Sequence, residues 1–326
     1  MKSRFRAHLC ALFFSACGAM PAVAQNYPDR PIHMIVAYSA GGTGDVVARI
    51  LADKLGTVLG QNIVVENRAG ASGNIGARTV ATATPDGYML LLGQTGEISI
   101  NQHWMKMKDV GFDADKDLQP IALASVVPLA LVVPAKAPYS TMAGYLAFLK
   151  SGKPSTYASA GTGTPGHFAG ELLKLRLKAN MTHVPYKGAG PALNDLVGSH
   201  VDMYFPGFPA ATPLMKAGSL KLLAVSSATR APSAPDIPTV AEASGIKNFD
   251  FTLWQGIFAP HGTPDAIVNR LNMEINKLLA TAEIKKKFAD LGAEIRIMSV
   301  AQFAAFTKAE SAKYVGIIKD TGAKPE

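Results

Sequence analysis

The chain has 326 residues, of which 48% are hydrophobic and 17% charged, and its formal net charge is +8. A chain of this length and composition can bury the cores of two lobes. Its basic residues are scattered rather than clustered with aromatic residues, which argues against nucleic acid as a partner and favours small anions or an anionic membrane surface.

Residues 1–24 have the features of a secretory signal peptide. A basic start precedes an apolar stretch and a small-residue cleavage site: Lys2, Arg4, Arg6, residues 9–14 and Ala22-Val23-Ala24. The apolar stretch is too short for a membrane-spanning helix, which needs ~20 residues. We therefore predict cleavage after Ala24 and export to the periplasm. Lipoprotein processing at Cys17 stays open as an alternative, although Phe14 is unusual at the first lipobox position.

Cleavage after Ala24 would remove three basic residues, no acidic residue and both cysteines, so the net charge would fall from +8 to +5. The mature chain would then have no disulfide, no thiol nucleophile and no cysteine metal site. We expect burial of its apolar residues alone to hold the fold together.

Short apolar runs alternate with amphipathic segments from residue 32 onward. The spacing of apolar residues over 45–59 predicts a helix, and Gly60 is its expected end. In the same part of the chain the sequence predicts strands at residues 32–38, 62–66 and 88–93 and a helix at residues 73–82.

The middle of the chain continues this alternation. Strands are predicted at 120–125, 129–133, 156–159, 182–185, 201–205 and 221–225, and helices at 142–149 and 166–178. A further helix has Pro191 in its first turn and ends near Gly198. Three helices close the chain; they begin at Pro264, at Thr281 and at Ser299, which forms a capping box with Gln302.

This order predicts an α/β fold with largely parallel sheets. We assign residues 25–125 and 226–326 to lobe 1 and residues 126–225 to lobe 2. Two chain crossings between the lobes would form a hinge, and the crevice between the lobes is the expected place for a small ligand.

A first glycine-rich loop lies between a predicted strand and helix. It consists of Tyr38, Ser39, Ala40, Gly41, Gly42, Thr43, Gly44 and Asp45. Its glycines let the backbone approach a ligand, and the helix N-terminus that follows favours an anion. For Asp45 we consider two roles: an acidic residue that the helix dipole favours, which we rank first, and a ligand contact.

A second loop, residues 160–167, repeats the arrangement in lobe 2. Its candidate ligand-binding residues are Gly161, Thr162, Gly163, Thr164, Gly166 and His167. Two helix N-termini that face one crevice would hold a dianion, one end each. The glycines also spell a dinucleotide fingerprint, but the acidic residue expected about 20 positions later is missing, because that region reads Val184-Pro185-Tyr186-Lys187.

The search for catalytic groups finds neither a metal-binding histidine pair nor a nucleophile elbow in the mature sequence. We therefore predict a binding protein without a cofactor rather than an enzyme. Four further residues are candidates for the rim of the crevice: Thr95, Tyr186, Lys187 and Phe205. A Schiff-base role for Lys187 is the less common alternative to an exposed loop lysine.

From Tyr27 onward the chain resembles the Bug family, the substrate-binding proteins of tripartite tricarboxylate transporters. The matching motifs are Tyr27-Pro28-Asp29-Arg30-Pro31-Ile32, Ala40-Gly41-Gly42 with Asp45, Val65-Glu66-Asn67-Arg68, Gly73-Asn74-Ile75-Gly76, Pro85-Asp86-Gly87-Tyr88, Tyr157-Ala158-Ser159-Ala160-Gly161, Val184-Pro185-Tyr186-Lys187-Gly188, Asp236-Ile237-Pro238-Thr239-Val240 and Leu291-Gly292-Ala293. Their number and order make the match specific.

The resemblance implies a two-lobe periplasmic binding protein of type II, a Venus-flytrap fold, that closes around a small organic acid. It also implies ligand contacts from the two glycine-rich loops and membrane-embedded permease subunits as partners. We expect a monomer, as is natural for a closing clamp.

The chain departs from the family pattern at several positions. Ala37 stands where proline is common in the family, and proline is also common near Ala40. Pro206-Gly207 follow Phe205 where many members carry an aspartate. If that aspartate binds an amine or a hydroxyl of the ligand in other members, its absence here argues against an amino-acid ligand. Glu97, in a third loop with Thr95, would disfavour a trianion. We therefore expect a mono- or dicarboxylate without an α-amino group.

Two rival functions remain. One is a sensor accessory that delivers the same kind of ligand to a receptor kinase, and the other is an exported α/β hydrolase or oxidoreductase. A deletion strain that loses uptake of the acid would indicate a transporter component, and one that loses induction would indicate the sensor accessory. Turnover of a bound acid by the pure protein would support the enzyme.

Overall fold

The structure is a computed structural model that describes residues 27–325. The predicted signal peptide and both cysteines lie outside the described residues. The strands are β1 Ile32–Val36, β2 Ile63–Asn67, β3 Met89–Gln94, β4 Leu118–Pro128, β5 Ala130–Pro134, β6 Ser155–Ser159, β7 Met181–Pro185, β8 Met203–Tyr204, β9 Leu220–Val225 and β10 Thr252–Pro260.

Helices cover much of the rest of the described chain. They are α1 Thr43–Leu59, α2 Asn74–Ala81, α3 Asn101–Trp104, α4 Met107–Val110, α5 Ala114–Asp117, α6 Met142–Lys150, α7 Pro165–Leu177, α8 Ala189–Val197, α9 Phe208–Lys216, α10 Val240–Ser244, α11 Asp265–Ala280, α12 Ala282–Asp290 and α13 Val300–Thr321. No helix within residues 27–325 combines the length and the apolar character that crossing a bilayer requires.

The strands form two five-stranded sheets, ordered β2-β1-β3-β10-β4 and β7-β6-β8-β5-β9. The predicted α/β class with two lobes is confirmed. The prediction of largely parallel sheets is wrong for β10 and β5, which run antiparallel to both of their neighbours. The chain crosses from one sheet to the other between β4 and β5 and again between β9 and β10. Strands β5 and β10 therefore enter their sheets at the end where the parallel strands finish, and they run in the opposite direction.

Helices cover both faces of each sheet. In the first sheet, Leu51 and Leu55 of α1 pack with Leu271 and Ile275 of α11 over one face. Helices α2 and α13 cover the opposite face. In the second sheet, α6 and α7 pack on one face, and α8 and α9 pack on the other. Each lobe is therefore a three-layer unit, with the loops after β1 and β6 at the junction between lobes.

Two connections join the sheets, and a single serine ties them together. The chain passes from β4 into β5 at Leu129, whose N–H donates to the Ser226 hydroxyl at 2.9 Å. That hydroxyl donates to the carbonyl of Phe251 at 2.5 Å, just before β10. Helix α13 also spans both lobes, because Phe303 packs in the first core and Tyr314 in the second.

Local sequence signals predicted several element ends well. Helix α1 ends at Gly60 in the left-handed conformation, with φ of 71°, and Ser299 and Gln302 form the predicted capping box. The predicted strand at 201–205 is reduced to the two residues of β8. Strand β10 and helix α9 were not predicted. Helix α9 begins Phe208-Pro209 and contains Pro213, a composition that in sequence resembles a loop.

Candidate ligand-binding site

The two glycine-rich loops meet between the sheets around a cavity of about 40 Å³, which we call the inner cavity. Predicted residues that line it are Tyr38, Gly42, Thr43, Gly44, Asp45, Thr164, Gly166 and Phe205. Residues that the sequence did not suggest are Gln94, Gly96, Leu129, Ala160, Pro165, Ala189, Tyr204, Gly207 and Leu253. The wall is thus mainly apolar side chains and glycine backbone.

Four helix N-termini lie at the wall of this cavity. They belong to α1 at Thr43, α7 at Pro165, α8 at Ala189 and α9 at Phe208. At none of these four ends does a side chain of the described residues cap the helix. The positive ends of their dipoles favour an anion. Pro165, Pro191 and Pro209 have no N–H, and the N–H of Ala210 donates to the Gly207 carbonyl at 3.1 Å, so the other residues of these first turns supply the backbone donors. The sequence predicted the first two ends as anion sites. It also predicted helix α8, with Pro191 in its first turn, but not that this helix begins at the cavity, and it did not predict α9.

A signal for the starts of α8 and α9 was present in the sequence. Gly188 precedes α8 and Gly207 precedes α9, and each helix has a proline in its first three residues, at Pro191 and Pro209. A glycine followed by an early proline is typical of a helix start. What the sequence did not reveal is that both ends face the same cavity.

The lobes touch through backbone atoms of the first loop. The N–H of Ser39 donates to the carbonyl of Lys187 at 3.3 Å. A Cβ at Gly190 would lie 2.4 Å from the carbonyl oxygen of Ala40, closer than real Cβ contacts come. Thr43 bridges the lobes as well, because its hydroxyl donates to the carbonyl of Gly207 at 3.4 Å. Of the predicted residues, Ser39, Ala40 and Gly41 lie at this contact and outside the lining of the cavity.

Asp45 holds the first loop in place. Its Oδ2 accepts a hydrogen bond from the N–H of Gly41 at 3.0 Å, and its Oδ1 pairs with Arg49 at 2.9 Å. Burial alone would raise the pKa of Asp45, but the hydrogen bonds from Arg49 and Gly41 outweigh it and lower the pKa. The carboxylate therefore stays ionised and is already engaged by a cation.

His167 organises the second loop. Its Nδ1 accepts a hydrogen bond from the N–H of Gly163 at 3.3 Å, and the side chain is buried. Burial lowers the pKa of His167 to about 4, and the charge of Lys174 adds to the shift. His167 is therefore neutral at physiological pH and supports the loop; neither His167 nor Gly163 lines the inner cavity.

A wider outer groove of about 500 Å³ adjoins the inner cavity at Tyr38 and Ala160. The predicted residues Gly161, Thr162, Tyr186 and Lys187 line this groove, not the inner cavity. The hydroxyl of Tyr186 donates to Asp195 at 2.6 Å. Lys187 is exposed and supplies a positive charge at the rim.

The sequence suggested a loop for Thr95 and Glu97, but residues 96–100 form a buried turn of π-helix. The Thr95 hydroxyl accepts a hydrogen bond from the N–H of Trp254 at 2.9 Å. Thr95 is fully buried and does not line the inner cavity. Its hydroxyl joins the end of β3 to β10.

Replacing Thr95 by valine removes the acceptor but keeps the volume of the side chain. The N–H of Trp254 would lose its side-chain acceptor, so we expect the free energy of unfolding to fall by about 1–3 kcal/mol. Thr95→Ser keeps the hydroxyl and should lose less. Urea denaturation of both variants measures the difference, and a loss in T95S that equals or exceeds the loss in T95V would contradict the view that the hydrogen bond is the larger contribution.

Within residues 27–325 there is no cluster of three His, Cys, Asp or Glu side chains that would hold a metal ion. What the geometry offers is a set of backbone donors around an apolar cavity, next to a groove with one lysine. Such an arrangement binds an anionic group and shields it from water.

Comparison with known proteins identifies the family. Residues 47–323 match the family model described as Tripartite tricarboxylate transporter family receptor. Among curated proteins, the chain is 36% identical to BugT of Bordetella pertussis, and the match covers 96% of each chain. The resemblance seen in the sequence is therefore confirmed.

Solved structures give the same result for the fold. The periplasmic binding protein BugD is 34% identical, with a TM-score of 0.86 over 92% of this chain and 100% of that chain. An adipate-bound protein of R. palustris is 33% identical, with a TM-score of 0.88 and the same coverage. MatC of Rhodopseudomonas palustris, with bound malate, is 30% identical, with a TM-score of 0.82 over 90% of this chain and all of MatC. The chain belongs to the tripartite tricarboxylate transporter receptor family, the Bug family of periplasmic solute-binding proteins, which are receptors and not enzymes.

Proposed function

We propose that this protein captures a small mono- or dicarboxylate without an α-amino group and delivers it to membrane-embedded permease subunits. The observation that carries the proposal is the convergence of four uncapped helix N-termini on one apolar cavity. Backbone N–H groups there would bind one carboxylate of the ligand, and the apolar wall would pack against its carbon chain. Lobe 1, residues 25–125 and 226–326, would close on lobe 2, residues 126–225.

The second end of a dicarboxylate has a suitable place in the outer groove. Lys187 lies at its rim, and Tyr38 lies between the groove and the inner cavity. A ligand with two carboxylates separated by an apolar chain would reach from the helix N-termini to this lysine. Adipate and malate, which are bound to two of the structural relatives, are dicarboxylates of different length.

The absence of an amine site favours ligands without an α-amino group. Within residues 27–325, Asp45 is the only carboxylate that lines the inner cavity, and Arg49 and Gly41 already engage its oxygens. Pro206, at the position of the family's aspartate, is buried and offers its carbonyl to the N–H of Ala130. An ammonium group would find no free anion in the cavity, and leaving it unpaired would cost binding energy.

Thermal unfolding of the mature protein with adipate, malate, glutamate, aspartate and glucose tests the proposal. A ligand present at about 100 times its Kd adds about 2.7 kcal/mol of stability, which raises Tm by a few degrees. We expect a shift with an amino-free acid and none with glucose. A larger shift with glutamate or aspartate than with every amino-free acid would contradict the absence of an amine site, and a shift with glucose alone would overturn anion binding.

Delivery to a permease and export to the periplasm complete the proposal. The signal peptide predicted at residues 1–24 would direct the chain to the compartment that the family occupies. Deletion of the gene should abolish uptake of the bound acid in a strain that grows on it. Retained uptake with lost induction of the acid's catabolic genes would favour the sensor accessory instead.

A further inference from the structure

Glu97 is a buried acid beside the inner cavity with no basic partner. Its side chain is fully buried, behind Tyr38, which lines the cavity. Glu97 Oε1 accepts a hydrogen bond from the N–H of Gln94 at 2.7 Å, and Oε2 lies 2.9 Å from the Tyr38 hydroxyl. Within the described chain, no lysine, arginine or histidine contributes to the pKa of Glu97.

The number of protons around Tyr38 limits the charge that Glu97 can carry. The Tyr38 hydroxyl oxygen lies within hydrogen-bond distance of two acceptors, Glu97 Oε2 at 2.9 Å and the Ser72 carbonyl at 3.0 Å. The hydroxyl has only one proton. With Glu97 ionised, the two acceptors would have to share that proton, or one of them would face the hydroxyl oxygen with no proton between the two oxygens. With Glu97 protonated, Glu97 donates to Tyr38 and Tyr38 donates to Ser72, and both contacts become hydrogen bonds.

Burial also favours the protonated form of Glu97. A buried carboxylate without a cation is costly, so the neutral acid is favoured. Burial raises the pKa of Glu97 to about 8, although the backbone N–H groups of Glu97 and Gln94 and the Tyr38 hydroxyl lower it. Burial also raises the pKa of Tyr38 well above its ordinary value, with a further contribution from Glu97.

We propose that Glu97 holds a proton at neutral pH and donates it to Tyr38, so that this pair forms an uncharged wall of the inner cavity that determines its selectivity for anions. The inference rests on the proposed function, because it assigns a reason why the cavity accepts a carboxylate beside a buried acid. Ionisation of Glu97 would place a negative charge behind Tyr38 and repel the bound carboxylate.

Other titratable groups near the pair do not explain a change of affinity above neutral pH. Burial raises the pKa of Tyr204, which also lines the inner cavity, well above its ordinary value, so Tyr204 stays neutral. His167, in the facing loop, has a pKa of about 4. The titratable residues of the helices packed against residues 96–100 form no hydrogen bond or ion pair with Glu97 in the described chain: His103, Asp115, Lys116, Asp117, Lys308, Glu310, Lys313, Tyr314, Lys319 and Asp320.

The ligand-free protein provides the first test. Since the pKa of Glu97 in the folded state lies above its ordinary value of 4.5, the folded protein binds more protons than the unfolded chain between these values. The stability that the neutral acid contributes is present below pH 4.5 and is lost as the pH rises through about 8. Glu97→Gln mimics the neutral acid, so we expect the Tm of the wild type to fall relative to E97Q between about pH 4.5 and pH 8 and to run parallel to it at higher pH.

Infrared difference spectra and adipate binding provide the second and third tests. At pH 6.5 the wild type minus E97Q difference should contain the carbonyl band of a protonated carboxylic acid. The Kd of the wild type for adipate should rise about fivefold or more between pH 6.5 and pH 9, whereas that of E97Q should stay constant. Glu283→Gln, which removes an exposed carboxylate of the same lobe, is the control and should keep the wild-type profile.

The three readouts separate the possible outcomes. Parallel Tm profiles of wild type and E97Q, together with no acid band, would overturn the proposal. An acid band with a pH-independent Kd would overturn the selectivity role. If adipate binds to neither protein at any pH, the proposed function fails for that acid, while the Tm and infrared tests still decide whether Glu97 is protonated.

Discussion

Replacing Gly190 by alanine is expected to weaken binding of the best acid in the panel about tenfold or more, a loss of at least about 1.4 kcal/mol. The added Cβ would lie 2.4 Å from the carbonyl oxygen of Ala40. Both partners are backbone or attached to it directly, so the contact cannot be relieved by turning a side chain. The two lobes would have to separate, and the helix N-termini of α1 and α8 would move apart.

The fold of the variant should survive, because the clash exists only between the lobes. Gly190 lies in the first turn of α8, where alanine is a better helix former than glycine. We expect the Tm without ligand to change little and the Kd from calorimetry to rise. Gly316→Ala is the matched control, since a Cβ there meets no atom within 4 Å. An unchanged Kd for G190A would contradict the view that the close contact between Gly190 and Ala40 keeps the lobes closed around the ligand.

Replacing Trp254 by alanine is expected to lower the free energy of unfolding by about 3–5 kcal/mol. Trp254 is fully buried in β10. Its ring contacts Phe258, Phe303 and Phe306, with ring centroids 5.8 to 6.2 Å apart. Loss of the indole would leave a cavity between the first sheet and α13, the helix that spans both lobes.

Trp254→Phe separates the packing of the ring from its polar group. The indole N–H has no hydrogen-bond partner among the described residues, so phenylalanine removes volume without removing a hydrogen bond. We expect W254F to cost less than about 2 kcal/mol. Urea denaturation with comparable m values gives both numbers. Equal losses for W254A and W254F would contradict the dominance of ring packing at this position.

The candidate site was predictable in part because some of its features are local. Glycine-rich stretches directly before amphipathic helices mark the loops at residues 38–45 and 160–167, and both contribute to the lining of the inner cavity or the outer groove. The sequence placed Thr95 at the rim of the crevice, whereas its hydroxyl bonds to Trp254, 159 positions away in the chain. No local pattern reveals a partner at that separation.

The sequence by itself determined the family, the alternation of strands and helices, the two glycine-rich loops and the ends of helices such as Gly60 and Ser299. These features depend on residues close together in the chain, through apolar spacing, capping side chains and glycine at turns.

Only the tertiary structure decided which groups meet. It brought the ends of α8 and α9 to the inner cavity, placed Gly190 against Ala40 and buried Glu97 beside Tyr38 without a cation. The physical reason is that a close approach or a shifted pKa depends on distance and burial in three dimensions. Residues far apart in the chain set both, so the sequence names these groups but not their neighbours.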